Sequence, residues 1–234
     1  MMLDTIARAV ESTGLALRGG FHPQPDDGLP PLPGEGAART LLLLGIVGPG
    51  AWQDFARSPE SRRADNPLDA WTRRIVAALA GRFGALPLYP FDGPPYWPFQ
   101  RWAMRAEPVA PSPIGILIHP EYGLWHGYRA ALLLAEMIAL PPQEARARPC
   151  ETCADRPCLS ACPVEAFTGT AYRVEACAGH ISAPAGAMCM EEGCRARDAC
   201  PVGRAYRYPP EQIRFHMKAF RRARGAMGGN EGWE

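Results

Sequence analysis

CETCADRPCLSACPVEAF, Cys150 to Phe167, and CMEEGCRARDACPVGRA, Cys189 to Ala205, decide how this 234-residue chain is organised. With Cys177 between them they hold all eight cysteines, and the first 149 residues have none. The first run reads Cys150-x2-Cys153-x4-Cys158-x3-Cys162-Pro163. The second reads Cys189-x4-Cys194-x5-Cys200-Pro201, and its CPVGRA echoes the earlier CPVEAF. Two cysteine groups each ending in Cys-Pro form an internal repeat. A disulfide framework would need an oxidising compartment. The N-terminus, MMLDTIARAVESTG, carries Asp4 and Glu11 where a secretory signal has positive charge and then an apolar run, so a cytoplasmic chain is expected. Metal or cluster ligation is the expected use of the thiols.

The bacterial ferredoxin run is C-x2-C-x2-C-x3-C-P, and the first group matches it with two extra residues before the third cysteine. A tight loop delivers three thiolates to a [4Fe–4S] cluster, and the Cys-Pro cysteine of the other group supplies the fourth. On that logic Cys150, Cys153, Cys158 and Cys200 hold one cluster, and Cys162, Cys177, Cys189 and Cys194 hold the other. Two four-thiolate zinc sites would also consume all eight cysteines. Zinc ribbons usually present two short pairs at a distance, without Cys-Pro at both ends, which favours two [4Fe–4S] clusters.

Outward from this block, 25 Lys and Arg against 24 Asp and Glu give a formal net charge of +1. The whole-chain charge therefore offers no case for nucleic acid as a partner. No stretch reaches the roughly 18 continuous apolar residues of a membrane helix, so no membrane partner is expected. Residues 2–13 read as a short amphipathic helix ended by Gly14, followed by a strand in LALRGGF. Thr40–Gly48 is an apolar run suited to a buried strand, and GPGAWQDFARSPESRR reads as a solvent-facing helix or turn. Asn66 and Pro67 open the best helix, whose buried stripe is Leu68, Trp71, Ile75, Leu79 and Phe83. Further strands are expected in LPLYPF and Ile114–Ile118, with an apolar run from Ala130 to Leu140. Pro141–Pro149 reads as a linker. Strands interleaved with helices predict an α+β or α/β layer fold over residues 1–145 and a cysteine-rich module over 146–209. Residues 210–234 read as a basic helix, Glu211–Arg224, and a disordered tail.

SPIGILIHPEYGLWHGYRAALL (Ser112–Leu133) resembles a segment shared by epoxyqueuosine reductases and cobalamin-processing decyanases. Their Ile-His-Pro-x-[YF]-Gly-x-Trp-x-x-x-Arg pattern is matched by Ile118, His119, Pro120, Tyr122, Gly123, Trp125 and Arg129. The order of a ferredoxin run, an isolated cysteine after Tyr172–Arg173, and a final Cys-Pro group is also similar. The resemblance implies a nitroreductase-like N-terminal module that binds a corrinoid, fused to a two-cluster ferredoxin-like module. It implies His119, Tyr122, Trp125 and Arg129 as cofactor-binding residues, with cobalamin as the cofactor and flavin as the alternative. The implied function is an iron–sulfur oxidoreductase fed by an electron donor protein such as a flavodoxin or reductase, acting on a small-molecule or corrinoid substrate. A ferredoxin-type carrier or corrinoid chaperone is the alternative. Residue by residue, His119 also suits a satisfied histidine at a strand end, Trp125 and Tyr128 suit a core, and Arg129 suits an ion pair. Tyr96, Trp97, Phe99 and Trp102 offer an aromatic lining for a macrocycle or a proline-rich structural loop.

Overall fold

A computed structural model describes residues 2–34, 36–142 and 148–227. In chain order the first half holds α1 (Met2–Glu11), β1 (Ala16–Phe21), β2 (Thr40–Val47), α2 (Trp52–Arg57), α3 (Pro67–Phe83), β3 (Leu86–Leu88) and α4 (Phe99–Ala106). There follow β4 (Ala110–Pro111), β5 (Leu117–Ile118), β6 (His126–Leu134), α5 (Pro157–Ser160), α6 (Val174–Ser182), α7 (Ala187–Glu192), α8 (Arg195–Asp198) and α9 (Pro210–Met227). These elements fall into two compact units, residues 1–109 with 126–146, and residues 110–125 with 147–234.

The first unit is built on a sheet in the order β1-β2-β6-β3 whose pairs are all antiparallel, which makes the class α+β. Leu41, Leu42, Leu43 and Leu44 are completely buried, as are Ala130 to Leu133 opposite them. Burial on both faces explains why this stretch reads as a continuous apolar run and not an alternation. Each fully buried leucine contributes about 1.5–3 kcal/mol. The β2–β6 register shifts between Leu44 and Gly45, and a side chain at Gly45 would overlap the Gly127 carbonyl, so glycine is required at this bulge. The helix opened by Pro67 buries Leu68, Trp71, Ile75 and Leu79 as expected, adds Thr72 and Val76, and leaves Phe83 half-buried. Asn66 sits in the left-handed region and makes no side-chain cap, so Pro67 and the Asp69 charge serve the helix start. The expected solvent-facing segment after Gly50 is instead anchored: Phe55 is buried with its ring edge-on to Trp71 at 5.9 Å.

The second unit gathers short helices and loops. The strand expected over Ile114–Ile118 shrinks to Leu117–Ile118 paired with Ala110–Pro111, because Gly115 (φ 77°) takes a turn whose N–H bonds the Ser112 carbonyl. Helix α9 presents Ile213 to Trp125 and Tyr208, and Phe220 to Ile181 and Met190, so the basic helix belongs to this unit. The division differs from the expected boundary near residue 145 in one respect. Residues 110–125 pack with the cysteine loops, where Ile114, Ile118 and Leu124 share a core with Cys158 and Cys200. Residues 143–147 of the expected linker and residues 228–234 of the expected tail lie outside the described residues. No helix among the described residues is long and apolar enough to cross a membrane.

Candidate metal centre

The cysteine unit uses helices of one or two turns to present thiols from loop ends. Arg156, in the left-handed region, and Pro157 open α5, which buries Cys158 in its first turn. Cys162 follows that helix, and the backbone N–H of Ala166 donates to its Sγ at 3.3 Å. Cys177 lies within α6 and Cys189 within α7. Gly193, at φ 98°, ends α7 and hands over to Cys194 at the start of α8. Cys200 is buried just beyond α8.

Burial raises six of the eight thiols, Cys150, Cys158, Cys177, Cys189, Cys194 and Cys200. Burial pushes the Cys150 thiol up, and the charges of Cys200, Cys158 and Cys153 push it further. Burial likewise raises Cys158, with Cys200 and Cys153 adding to it, and raises Cys200, with Cys153 adding to it. In the other expected set, burial raises Cys177, assisted by Cys162, and Cys189, assisted by Cys162 and Cys177. Cys194 is pushed up to about 11 by burial, with Cys177 and Cys162 contributing. Cys150, Cys162, Cys177 and Cys194 all pack against one apolar core that contains Cys158 and Cys200. Cys150, Cys153, Cys158 and Cys200 also line one pocket.

The donors around each set suit a soft, electron-rich group. Cys150, Cys153, Cys158 and Cys200 line one apolar pocket together with Ser112, Ile114, Ile118 and Leu124. The Ser112 hydroxyl oxygen there is buried and has no hydrogen-bond partner among the described residues. A buried hydroxyl without a partner is costly, and an acceptor in the pocket would satisfy it. Backbone N–H groups reach Cys158 from Leu159 and Cys200 from Val202. In the second set, Cys194 receives N–H groups of Arg197 and Ala196, and Cys177 receives the Tyr172 hydroxyl. No group of three or more His, Cys, Asp or Glu among the described residues is arranged to hold a metal ion. The fit to two clusters therefore rests on the gathering of the thiols in one unit and on their surrounding donors.

The residues expected to bind the second cofactor are placed differently. His119 is buried, and its Nδ1 accepts the backbone N–H of Glu121 at 3.1 Å and of Tyr122 at 3.2 Å. With Nδ1 an acceptor, the proton of the neutral ring sits on Nε2. The Tyr122 ring stacks on His119 at 4.1 Å. Trp125 is buried edge-on to Tyr208, with the Arg197 guanidinium 4.5 Å above it. These three lie in the cysteine unit. Arg129 lies in the sheet unit, where its guanidinium is held by Asp69 at 2.5 Å and Thr72 at 3.1 Å. Of the candidate aromatic lining, Phe99 and Trp102 are core, with Trp102 Nε1 donating to the Asp27 carbonyl at 2.9 Å. Tyr96 is exposed, and Trp97 stacks on Trp102.

One constellation in the sheet unit escaped the sequence. Arg18, 2% exposed in β1, donates to both carboxylate oxygens of Glu107 at 2.6 and 3.2 Å and approaches His126 Nδ1 at 3.2 Å. The Tyr128 hydroxyl also donates to Glu107. Burial holds the Glu107 carboxyl above the usual carboxylate range, partly offset by Arg18, and burial raises Tyr128 as well. The available signal was an arginine inside an otherwise apolar strand.

No protein-family model matches the chain, and no curated protein matches it by sequence. Among solved structures, an epoxyqueuosine reductase bound to an epoxyqueuosine-modified tRNA-Tyr stem loop aligns with 91% of this chain and 68% of its own, at 15% identity and a TM-score of 0.51. A selenomethionine-labelled epoxyqueuosine reductase aligns over the same shares at 14% identity and a TM-score of 0.51. The chain shares its fold with these structures. That agrees with the resemblance carried by Ile118–Arg129. A B12-trafficking protein, CblC of C. elegans, aligns with 94% of this chain and 95% of its own at 14% identity, with a TM-score of 0.46, too low to assign a fold from.

Proposed function

We propose that the chain is an iron–sulfur electron-transfer reductase, with two [4Fe–4S] clusters in the cysteine unit and a corrinoid as the cofactor to be reduced. The observation that carries the iron–sulfur half is that all eight thiols are buried or half-buried in one unit, with Cys150, Cys153, Cys158 and Cys200 lining one apolar pocket. Such clusters supply one-electron storage and transfer, with potentials tuned by hydrogen bonds to sulfur and by exposure. The chain's own residues supply the thiolates, the N–H and hydroxyl donors, and the apolar cover of Ile114, Ile118 and Leu124 that excludes water from the first set. Binding requires deprotonated thiols, so loading releases protons that burial holds on the free protein. The corrinoid half is supported by the Ile118–Arg129 motif and the shared fold, and the electron donor in this scheme is a flavodoxin or a reductase.

A ferredoxin-type carrier or corrinoid chaperone is the second possibility. It is favoured by Arg129, Trp102 and Phe99, whose side chains are already engaged within the sheet unit. Anaerobically purified full-length protein should hold about eight irons per chain and give two reducible cluster signals by electron paramagnetic resonance. Stoichiometric zinc without a reducible chromophore overturns the proposal. Titration of the full-length protein with cob(II)alamin, and separately with flavin, then distinguishes the two readings. A spectral change with cob(II)alamin and reduction from the clusters supports the reductase, and silence with both cofactors leaves the carrier.

A further inference from the structure

The His119–Trp125 turn locks onto the loop that carries Cys200. Gly123 (φ 57°) and Gly203 (φ 72°) face one another, and a Cβ on Gly123 would overlap the Val202 carbonyl, while one on Gly203 would overlap the backbone of Tyr122 and Gly123. Backbone thus lies against backbone, an approach open only to glycine. Three side-chain contacts hold the two segments in register. The Tyr206 hydroxyl donates to Glu121, and Arg197 donates two N–H groups to the Leu124 carbonyl at 2.6 and 3.1 Å. The same guanidinium lies against both the Trp125 and Tyr208 rings, 4.5 and 4.7 Å from their centres. His119 shapes the turn itself, its Nδ1 taking the N–H groups of Glu121 and Tyr122 while its own N–H and C=O pair with Gly123.

We propose that the His119–Trp125 turn is the positioning element of the first cluster, fixing the Cys200 loop so that its thiol joins those of Cys150, Cys153 and Cys158. This rests on the two-cluster proposal. The physical need is plain: three ligands of that set lie within nine consecutive residues, Cys150 to Cys158, whereas Cys200 arrives from far along the chain. A ligand delivered from a distance loses conformational freedom on binding unless its loop is already held. The pocket that Ile114, Ile118 and Leu124 line holds Cys150, Cys153, Cys158 and Cys200 and none of the second set. On this account His119 acts through Nδ1 as a hydrogen-bond acceptor that shapes the turn.

The test compares Gly123→Ala, His119→Leu and His119→Asn with the natural protein, all full-length and reconstituted anaerobically. Iron per chain, the two resonance signals and their midpoint potentials are the readouts. The natural protein must first show two clusters; if it does not, the two-cluster proposal has failed, which is a separate result. Given two, Gly123→Ala and His119→Leu should lose one cluster, with iron falling by half and the signal of the second set keeping its potential. His119→Asn, whose side-chain oxygen replaces Nδ1 as acceptor, should retain both. Retention of both clusters at unchanged potentials in Gly123→Ala and His119→Leu overturns the proposal. So does equal loss of both clusters, or failure of His119→Asn to rescue.

Discussion

Arg18→Met should destabilise the sheet unit severely, and more so at alkaline than at acid pH. Arg18 and the Glu107 side chain are 2% and 10% exposed, and the guanidinium engages both carboxylate oxygens. Removing one partner of a buried pair leaves an uncompensated charge at a cost of about 3–5 kcal/mol. At roughly 2–4 °C of Tm per kcal/mol for a chain of this size, the loss is about 6–20 °C. Burial already raises the Glu107 carboxyl, and without Arg18 it rises further. A carboxyl raised above its unfolded value near pH 4.3 contributes stability that is complete below that value and disappears as pH climbs through the folded pKa. The deficit should therefore be smaller at pH 5 than at pH 8. Arg18→Met with Glu107→Leu removes both charges and should recover most of the loss. Urea unfolding followed by circular dichroism at the two pH values reads all three outcomes. A deficit under about 1 kcal/mol at pH 8, a larger deficit at pH 5, or a double variant as weak as the single one refutes the reasoning.

Two further outcomes follow from the thiol sets. Cys200→Ser should remove the cluster of Cys150, Cys153 and Cys158, halving the iron while the other resonance signal survives; loss of the signal that depends on Cys189 and Cys194 shows that the ligand crossover is wrong. Tyr172→Phe deletes the hydroxyl donated to Cys177, and an electron-rich reduced cluster feels that loss more than an oxidised one. A difference of about 1 kcal/mol, typical of one hydrogen bond, lowers the midpoint of the second set by roughly 40 mV in a one-electron couple, and an unmoved or raised potential in a redox titration rejects the assignment.

The cysteine-rich unit was legible because its chemistry is written in residue type and spacing, and Cys-Pro marks the end of each run. The β2 strand and the α3 stripe were legible because burial imposes periodicity on side chains. The allegiance of residues 110–125 was not, because it is decided by Gly123 against Gly203, where the contact is made by backbone and leaves no side-chain signature. The setting of His119 was half-visible: a histidine before proline suggested either a site or a satisfied strand end, and its Nδ1 takes two local N–H donors that no sequence pattern announces. Arg129 fits the motif by position, yet its partner is Asp69, sixty residues earlier on α3. Arg18 and Glu107 are 89 residues apart, a pairing that no local pattern announces.

The division of the chain also sets a timetable for its synthesis. The sheet unit is complete once β6 has emerged, since β6 is the strand between β2 and β3. Residues 110–125 belong to the other unit and dock on a loop that begins at Cys200, about 75 residues after Trp125 (200 − 125). At roughly 5–20 residues per second, the ribosome needs about 4–15 s to deliver that partner. For that interval Ile114, Ile118 and Leu124 lack the Cys200 loop they will pack against, so a nascent chain stalled between residues 135 and 200 carries an apolar loop of the kind that chaperones shield.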